Sequence, residues 1–179
     1  MSEPAPQLTG ARIALRALHV DDVGERYVRW MSDPLVIRYL ESRFAPNSAE
    51  RIRAFVQSMN DSPDNQLMAI VRRDGDEHIG NIKLGPINWI HRSADVGIII
   101  GERDQWGKGY ATDAIALLTE HAFTTLGLHK LNAGCYAGNK GSARAFEKAG
   151  WRREGLRREQ YYCDGTWVDE ILLGRAAGD

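Results

Sequence analysis

The sequence contains few cysteines, no long apolar run and almost no net charge. Cys135 and Cys163 are the two cysteines of its 179 residues and form no CxxC pair, which argues against a disulfide framework and indicates a reduced, intracellular protein. No apolar run approaches the length of a membrane span, and Met1–Gly10 lack the basic region and apolar core of a signal peptide. We therefore expect a cytoplasmic protein that does not bind a membrane.

Patterns typical of metal and nucleic-acid sites are also missing. The five histidines are scattered, without an HExxH motif or a Cys/His cluster. The 23 basic and 24 acidic residues give a formal net charge of −1, which provides no long-range attraction to nucleic acid. We therefore expect neither a bound metal nor a nucleic-acid partner.

The remaining features indicate one mixed α/β domain. Hydrophobic residues make up 43% and charged residues 26% of the chain, as in globular proteins. We interpret residues 1–10 as a loose tail and residues 11–175 as a single domain. Hydrophobic periodicity and turn signals predict strands and helices along the chain. The predicted strands are Ile13–Leu18, Leu67–Arg72, Ile79–Leu84, Ala94–Ile100 and Leu128–Tyr136, followed by a hairpin of Arg158–Cys163 with Trp167–Leu173. The predicted helices are Asp21–Met31, one capped by Ser48, one ending at Gly127 and one ending at Gly150. Strands followed by two strand–helix units predict a mixed α/β sheet.

A glycine loop between a strand and a helix is the most informative segment. It follows the apolar run Val96–Ile100 and leads into a segment with apolar residues at helical spacing. Glycine lets the backbone approach a ligand closely, and the free N–H groups of a first helical turn attract an anion. The spacing matches neither a Walker loop nor a dinucleotide fingerprint, and an ordinary tight turn is the alternative. The loop predicts a site for a phosphorylated cofactor, formed by Trp106, Gly107, Lys108, Gly109, Tyr110 and Ala111.

Two further segments extend this pattern. Leu128–Tyr136 is a predicted strand, and Asn139–Trp151 follows it. With the glycine loop, and in this order, they resemble the GNAT superfamily of acyl-CoA-dependent N-acetyltransferases, in particular the branch that holds ribosomal-protein N-terminal acetyltransferases and amino-sugar acetyltransferases. The resemblance implies a mixed, mostly antiparallel sheet of six to seven strands flanked by about four helices. It also implies a V-shaped gap between the fourth and fifth strands, into which acetyl-CoA inserts.

The resemblance assigns the cofactor contacts. The loop would anchor the pyrophosphate of acetyl-CoA, although Trp106 stands where the family usually has Gln or Arg. The backbone of the strand ending at Ile99 and Ile100 would hold the pantetheine arm and the thioester carbonyl. Asn139 would bind the pantetheine amides, and a role as a turn or helix-cap residue is the alternative.

Acetyl transfer to an amine needs a group that takes the ammonium proton, and it benefits from a proton donor to the departing thiolate. Many family members have a tyrosine seven residues after the asparagine, where this chain has Phe146. The Asn139-x-x-Ser142 arrangement resembles ribosomal-protein acetyltransferases and makes Ser142 the candidate acid, or a cofactor-binding residue that hydrogen-bonds the sulfur, with helix capping as the alternative. Glu77 lies just before Gly80 and resembles by position a glutamate used in that branch, so it is the first candidate base. Asp95, beside the expected thioester, is the second; a base acting through water, or binding of the free amine, stays open.

The acceptor site is expected between the first two helices and the turn after Leu84. Aromatic and charged residues in these segments are the candidate acceptor contacts, namely Arg38, Tyr39, Glu41, Asn81, Lys83 and Trp89. Segments Asp33–Glu41 and Gly80–Ile87 resemble their counterparts in amino-sugar acetyltransferases, which favours a small amino-sugar, free or nucleotide-linked. Protein N-terminal acetylation and a non-catalytic acyl-CoA sensor are the alternatives. An acidic groove would favour a basic peptide, and a basic groove would favour a nucleotide-sugar. Many relatives dimerise, so the resemblance also implies a homodimer as a candidate assembly.

Overall fold

A computed structural model describes residues 7–179, in which eight strands form one sheet. The strands are β1 (Leu8–Thr9), β2 (Ile13–Ala17), β3 (Gln66–Arg72), β4 (Glu77–Asn88), β5 (Ser93–Ile100), β6 (Lys130–Tyr136), β7 (Arg152–Cys163) and β8 (Thr166–Ala176). The helices are α1 (Glu25–Ser32), α2 (Pro34–Ile37), α3 (Ala49–Asp61), α4 (Tyr110–Thr124) and α5 (Lys140–Lys148). Within residues 7–179, no helix has both the length and the apolar character needed to cross a bilayer.

The predicted mixed, mostly antiparallel sheet is confirmed. The strand order is β1-β2-β3-β4-β5-β6-β8-β7, and every neighbouring pair is antiparallel except β5 and β6. The sheet has eight strands rather than six to seven because Leu8–Thr9 pair with β2, although they lie in the segment interpreted as a tail. Residues 1–6 of that tail lie outside the described residues.

Among the element boundaries that differ from the prediction, two differ for clear local reasons. The helix predicted from Asp21 begins at Glu25, because Gly24 precedes it in an extended conformation and residues 20–22 form a separate 3-10 turn. The last hairpin begins at Arg152 rather than Arg158. Almost every residue of β7 is exposed and many are charged, so this strand shows no alternation of apolar and polar residues.

Both faces of the sheet carry an apolar core. One core lies under α4 and α5 and includes Ile70, Ile115 and Phe146. The other lies under α1 and α3 and includes Trp30 and Ala69. Successive residues of β3 point to opposite faces and enter both cores, which explains why the centre of this strand is apolar without a break.

The sheet splits between its two parallel strands. Residues 93–95 of β5 pair with residues 130–132 of β6. Beyond these pairs, β5 continues against β4 as far as Ile100, while β6 continues against β8 as far as Tyr136. The gap therefore opens toward the carboxyl ends of β5 and β6, and the predicted V-shaped split is confirmed.

Candidate active site

The glycine loop exposes backbone N–H groups at the start of α4. Gly109 is the N-cap of α4 and has φ +87°, a conformation that a residue with a side chain rarely adopts. The N–H of Asp113 donates to the Gly109 carbonyl, so the N–H groups of residues 109–112 have no intrahelical acceptor. Arg12 braces the loop, because its Nη1 donates to the Lys108 carbonyl (2.9 Å) and its Nε to Asp113 Oδ2 (2.7 Å). With the positive end of the α4 dipole, this arrangement suits a phosphate group.

Trp106 and Gln105 fasten this loop to the sheet. The indole Nε1 of Trp106 donates to the Ile100 carbonyl at 2.8 Å, while the ring stays 44% exposed. Gln105 is buried, and its side-chain oxygen accepts hydrogen bonds from Arg72 Nη1 (3.2 Å) and Lys108 Nζ (3.3 Å). The sequence analysis missed Gln105, because its role comes from a strand more than thirty positions earlier.

The edge of β5 beside the loop is available to a ligand. Within the described residues, Val96–Ile100 pair with β4 alone, so the backbone groups on the β6 side have no strand partner. Ile99 and Ile100 are half-buried in this edge. A Cβ built on Gly97 would meet no atom within 4 Å, so the space above it is open. Amide groups of a pantetheine arm fit such an edge, and the assignment of Ile99 and Ile100 stays a prediction.

Asn139 and Ser142 lie at the start of α5, on the other side of the split. Asn139 is the N-cap, and its Oδ1 accepts a hydrogen bond from the Ser142 N–H at 3.2 Å. The capping role foreseen for Ser142 therefore belongs to Asn139, and the half-buried Ser142 hydroxyl makes no hydrogen bond within residues 7–179. Phe146 is 2% exposed and packs against Trp151 with ring centroids 4.7 Å apart, so it fills the core.

Glu77 and Asp95 have different surroundings. Glu77 Oε1 accepts a hydrogen bond from Arg26 Nη1 at 2.9 Å, and its Oε2 lies 3.7 Å from Arg72 Nη1. Asp95 is exposed and forms no ion pair within the described part of the chain. It pairs with Asn132 as the last residue of β5 in register with β6, which puts it at the narrow end of the split.

Six side chains meet at the open end of the split, and we call them the tyrosine cluster: Tyr39, Glu41, Arg43, Tyr136, Tyr161 and Glu170. Tyr136, the last residue of β6, donates its hydroxyl to Glu41 and accepts a hydrogen bond from Arg43 Nη1 at 3.0 Å. Its ring stacks on Tyr161 with centroids 4.0 Å apart and planes 12° apart. Burial and neighbouring carboxylates raise the pKa of both phenols, so both remain protonated donors at neutral pH.

Three predicted acceptor residues belong to or border the tyrosine cluster. Arg38 binds Asp164 in the turn between β7 and β8, with Nη2 and Oδ2 2.6 Å apart, and its guanidinium lies 5.2 Å from the Tyr39 ring centroid. The Tyr39 ring lies 5.6 Å from the Tyr136 ring, and Glu41 accepts the Tyr136 hydroxyl. These residues come together as the sequence analysis expected, although their contact with an acceptor stays a prediction.

The other three predicted acceptor residues are dispersed. Asn81 is 3% exposed and its Oδ1 lies 2.8 Å from His78 Nε2, which leaves almost no surface for an acceptor. Trp89 lies in the turn between β4 and β5, at the opposite end of β5 from the glycine loop, and its Nε1 donates to Asp64 Oδ1 at 2.8 Å. Lys83 is half-buried opposite Gly97 and forms no ion pair within residues 7–179.

The sequence analysis did not single out Tyr136, Tyr161 or Glu170. The available signal was the tyrosine at the carboxyl end of a predicted strand beside the split.

Among the described residues, no three His, Cys, Asp or Glu side chains come together in a group that could hold a metal ion.

Comparison with known proteins identifies the family. Residues 12–152 match the family model of the acetyltransferase (GNAT) domain. The chain belongs to the GNAT acetyltransferase family. It is similar to p20 of Bacillus licheniformis, which is named an uncharacterized N-acetyltransferase. The two are 29% identical over 166 residues, which cover 90% of this chain and 91% of p20. This chain is 29% identical over 162 residues to the spermidine N(1)-acetyltransferase of Escherichia coli K12, covering 90% of this chain and 84% of that one.

A solved structure shares the GNAT fold. The spermidine N-acetyltransferase of Vibrio cholerae, in complex with CoA and spermine, superposes with a TM-score of 0.82 at 23% identity, covering 94% of this chain and 98% of that one. The family and its relatives make this chain an acetyl-CoA-dependent N-acetyltransferase. The exposed N–H groups of the glycine loop and the unpaired edge of β5 fit acetyl-CoA, which supplies the acetyl group as a thioester.

Proposed function

We propose that the acceptor of this N-acetyltransferase is a small amino-sugar, free or nucleotide-linked. The charge balance of the tyrosine cluster and its border carries this proposal. Arg38 pairs with Asp164, Arg43 lies 3.9 Å from Glu41, and Arg157 pairs with Glu170 at 3.0 Å, so each guanidinium has a carboxylate. Aromatic rings edged by paired polar groups suit the uncharged, hydroxyl-rich ring of a sugar.

A polyamine acceptor is the second candidate, because the E. coli and V. cholerae relatives are named spermidine acetyltransferases. The charges around the rings argue against it. The guanidinium of Arg38 lies over Tyr39, and that of Arg43 lies 5.0 Å from the Tyr136 ring centroid. The Tyr39 and Tyr136 rings therefore each already carry a guanidinium, which leaves less aromatic surface for a second ammonium group.

For the chemical step, we propose Asp95 as the group that takes the proton of the acceptor ammonium, ahead of Glu77. Asp95 is exposed and unpaired at the split, whereas two arginines hold Glu77. Ser142 is proposed as the donor toward the departing sulfur, since its hydroxyl has no partner among the described residues. The activated thioester and the alignment of the amine with it in the split supply the remaining rate enhancement.

The separation of these groups supports an elongated acceptor. Asp95 is in register with Asn132, and Tyr136 lies four residues further along β6 on the same face of the sheet. A rise of about 3.3 Å per residue puts about 13 Å between the two ends. An acceptor with its amine at Asp95 and its remainder at the tyrosine cluster spans more than one sugar ring.

The remaining expectations, a cytoplasmic location and a homodimer without membrane or nucleic-acid partners, are part of the same proposal.

The test is release of CoA from acetyl-CoA against four acceptors: glucosamine, UDP-glucosamine, spermidine and a peptide beginning with alanine. Higher kcat/KM for either sugar than for spermidine supports the amino-sugar proposal. Preference for spermidine or the peptide overturns it, and binding of acetyl-CoA without turnover of any amine favours the sensor alternative. Asp95→Asn is expected to lower kcat with the amino-sugar, while the matched Glu77→Gln leaves kcat nearly unchanged.

A further inference from the structure

Glu170 on β8 is a charged side chain held out of solvent. It is 5% exposed, its Oε1 accepts the Tyr161 hydroxyl at 2.8 Å, and its Oε2 accepts Arg157 Nη1 at 3.0 Å. A buried carboxylate is costly unless it is paired and hydrogen-bonded, so these two donors keep it in place. It lies directly opposite Tyr136 in the register of β6 and β8, on the wall of the split.

The carboxylate occupies space that only a glycine leaves free. A Cβ built on Gly134 of β6 would collide with Glu170 Oε1. Any side chain at position 134 would therefore push the carboxylate away from Tyr161. Gly134 itself is not left-handed, so this space is the reason that we find for a glycine here.

A continuous set of contacts runs from Glu170 to the exposed Glu41. The hydrogen bond to Glu170 fixes the Tyr161 ring, and the Tyr161 ring stacks on Tyr136. The Tyr136 hydroxyl and the Arg43 guanidinium then orient Glu41, whose side chain is 69% exposed. Each contact removes rotational freedom from the next side chain, which is how a binding carboxylate is held ready for a ligand.

We propose that Glu170 is a positioning residue of the acceptor site: it orients Tyr136 through Tyr161, and thereby holds the Glu41 carboxylate toward the acceptor. Glu170 does not itself touch the acceptor. This inference rests on the proposed function, because it takes the tyrosine cluster as the acceptor wall.

The positioning is tested first without an acceptor. The protein is labelled with 3-fluorotyrosine, and the fluorine resonance of Tyr136 is assigned by its loss in Tyr136→Phe. Glu170→Gln, Tyr161→Phe and Gly134→Ala are expected to shift or broaden this resonance, because each weakens the same set of contacts. Tyr162→Phe is the matched control, since Tyr162 is 52% exposed and its ring contacts Trp167 instead. An unchanged Tyr136 resonance in the first three variants overturns the inference.

The functional consequence is tested with UDP-glucosamine and spermidine as acceptors. Loss of one charge-assisted contact predicts a rise of about ten-fold in the acceptor KM of Glu170→Gln, with the KM for acetyl-CoA unchanged. A merely structural role would instead change both KM values together with the midpoint of thermal unfolding. If Glu41→Gln raises the acceptor KM and Glu170→Gln does not, the inference fails alone. If Glu41→Gln also leaves it unchanged, the proposed acceptor site fails.

Discussion

A negative charge at position 109 should weaken CoA binding if the glycine loop holds the pyrophosphate. Gly109 has φ +87°, and a Cβ there would lie 3.0 Å from Arg12 Nη2. Any side chain at this position therefore pays a conformational cost of about 1–2 kcal/mol and shifts Arg12. Because this cost is common to all substitutions, the informative comparison is between Gly109→Glu and the neutral Gly109→Gln.

The size of the charge effect follows from the exposure of the loop. Two unit charges 4 Å apart repel by about 1 kcal/mol in bulk water and by about 4 kcal/mol at an effective dielectric constant of 20. Gly107, Lys108 and Gly109 are exposed and Tyr110 is half-buried, which argues for an intermediate value. We expect about 2 kcal/mol, which corresponds to about 30-fold weaker binding of CoA to Gly109→Glu than to Gly109→Gln.

The assay is isothermal titration of CoA into each variant at low and high salt. The difference between the two variants should shrink at high salt, because an exposed pair of charges is screened. Equal CoA affinities for Gly109→Glu and Gly109→Gln would refute the view that a phosphate lies beside this residue. Affinities equal to that of the unchanged protein in both variants would refute the loop assignment as a whole.

Three further predictions concern stability. Asn139→Ala removes the cap of α5 and is expected to lower the free energy of unfolding by about 1 kcal/mol in urea titration, whereas Asn139→Ser, which keeps a capping oxygen, should lose less. Phe146→Ala empties a core position against Trp151 and should lower it by about 3–5 kcal/mol. Burial lowers the pKa of His78 below its unfolded value near 6.5, so the folded state favours the neutral imidazole. The free energy of unfolding therefore keeps this contribution above pH 6.5 and loses it as the pH drops below that value. His78→Gln should reduce the loss of stability between pH 7 and pH 5.

The residues that the sequence proposes for the cofactor depend on local contacts. Trp106 donates to a carbonyl six positions away, and Asn139 accepts from an N–H three positions away. The conformations of Gly107 and Gly109 are likewise properties of the loop itself. A motif read along the chain contains all of these partners, so the sequence alone can propose the cofactor half of the site.

The parts that the sequence missed depend on distant contacts. Tyr136 and Glu41 are 95 positions apart, and Arg38 and Asp164 are 126 positions apart. Glu77 illustrates the converse, because its position in a resembled motif made it the first candidate base, whereas tertiary contacts pair it with Arg26 and Arg72. No spacing rule along the chain connects such residues; only the fold brings them together.

This division has a consequence for the transfer of acceptor identity between relatives. The glycine loop and the split are shared with any chain that keeps the local motif and the strand order, so similarity there carries cofactor chemistry. The tyrosine cluster instead joins the Glu41–Phe44 turn, the end of β6 and the β7–β8 hairpin, and a single substitution at Arg43 or Glu170 would change its charge. Similarity to a spermidine acetyltransferase therefore says less about the acceptor than the paired arginines do. Arg43→Gln removes one of those cations and leaves its carboxylate in place. It should raise the ratio of kcat/KM for spermidine to kcat/KM for UDP-glucosamine. If this ratio does not change, residues elsewhere along the split determine the choice of acceptor.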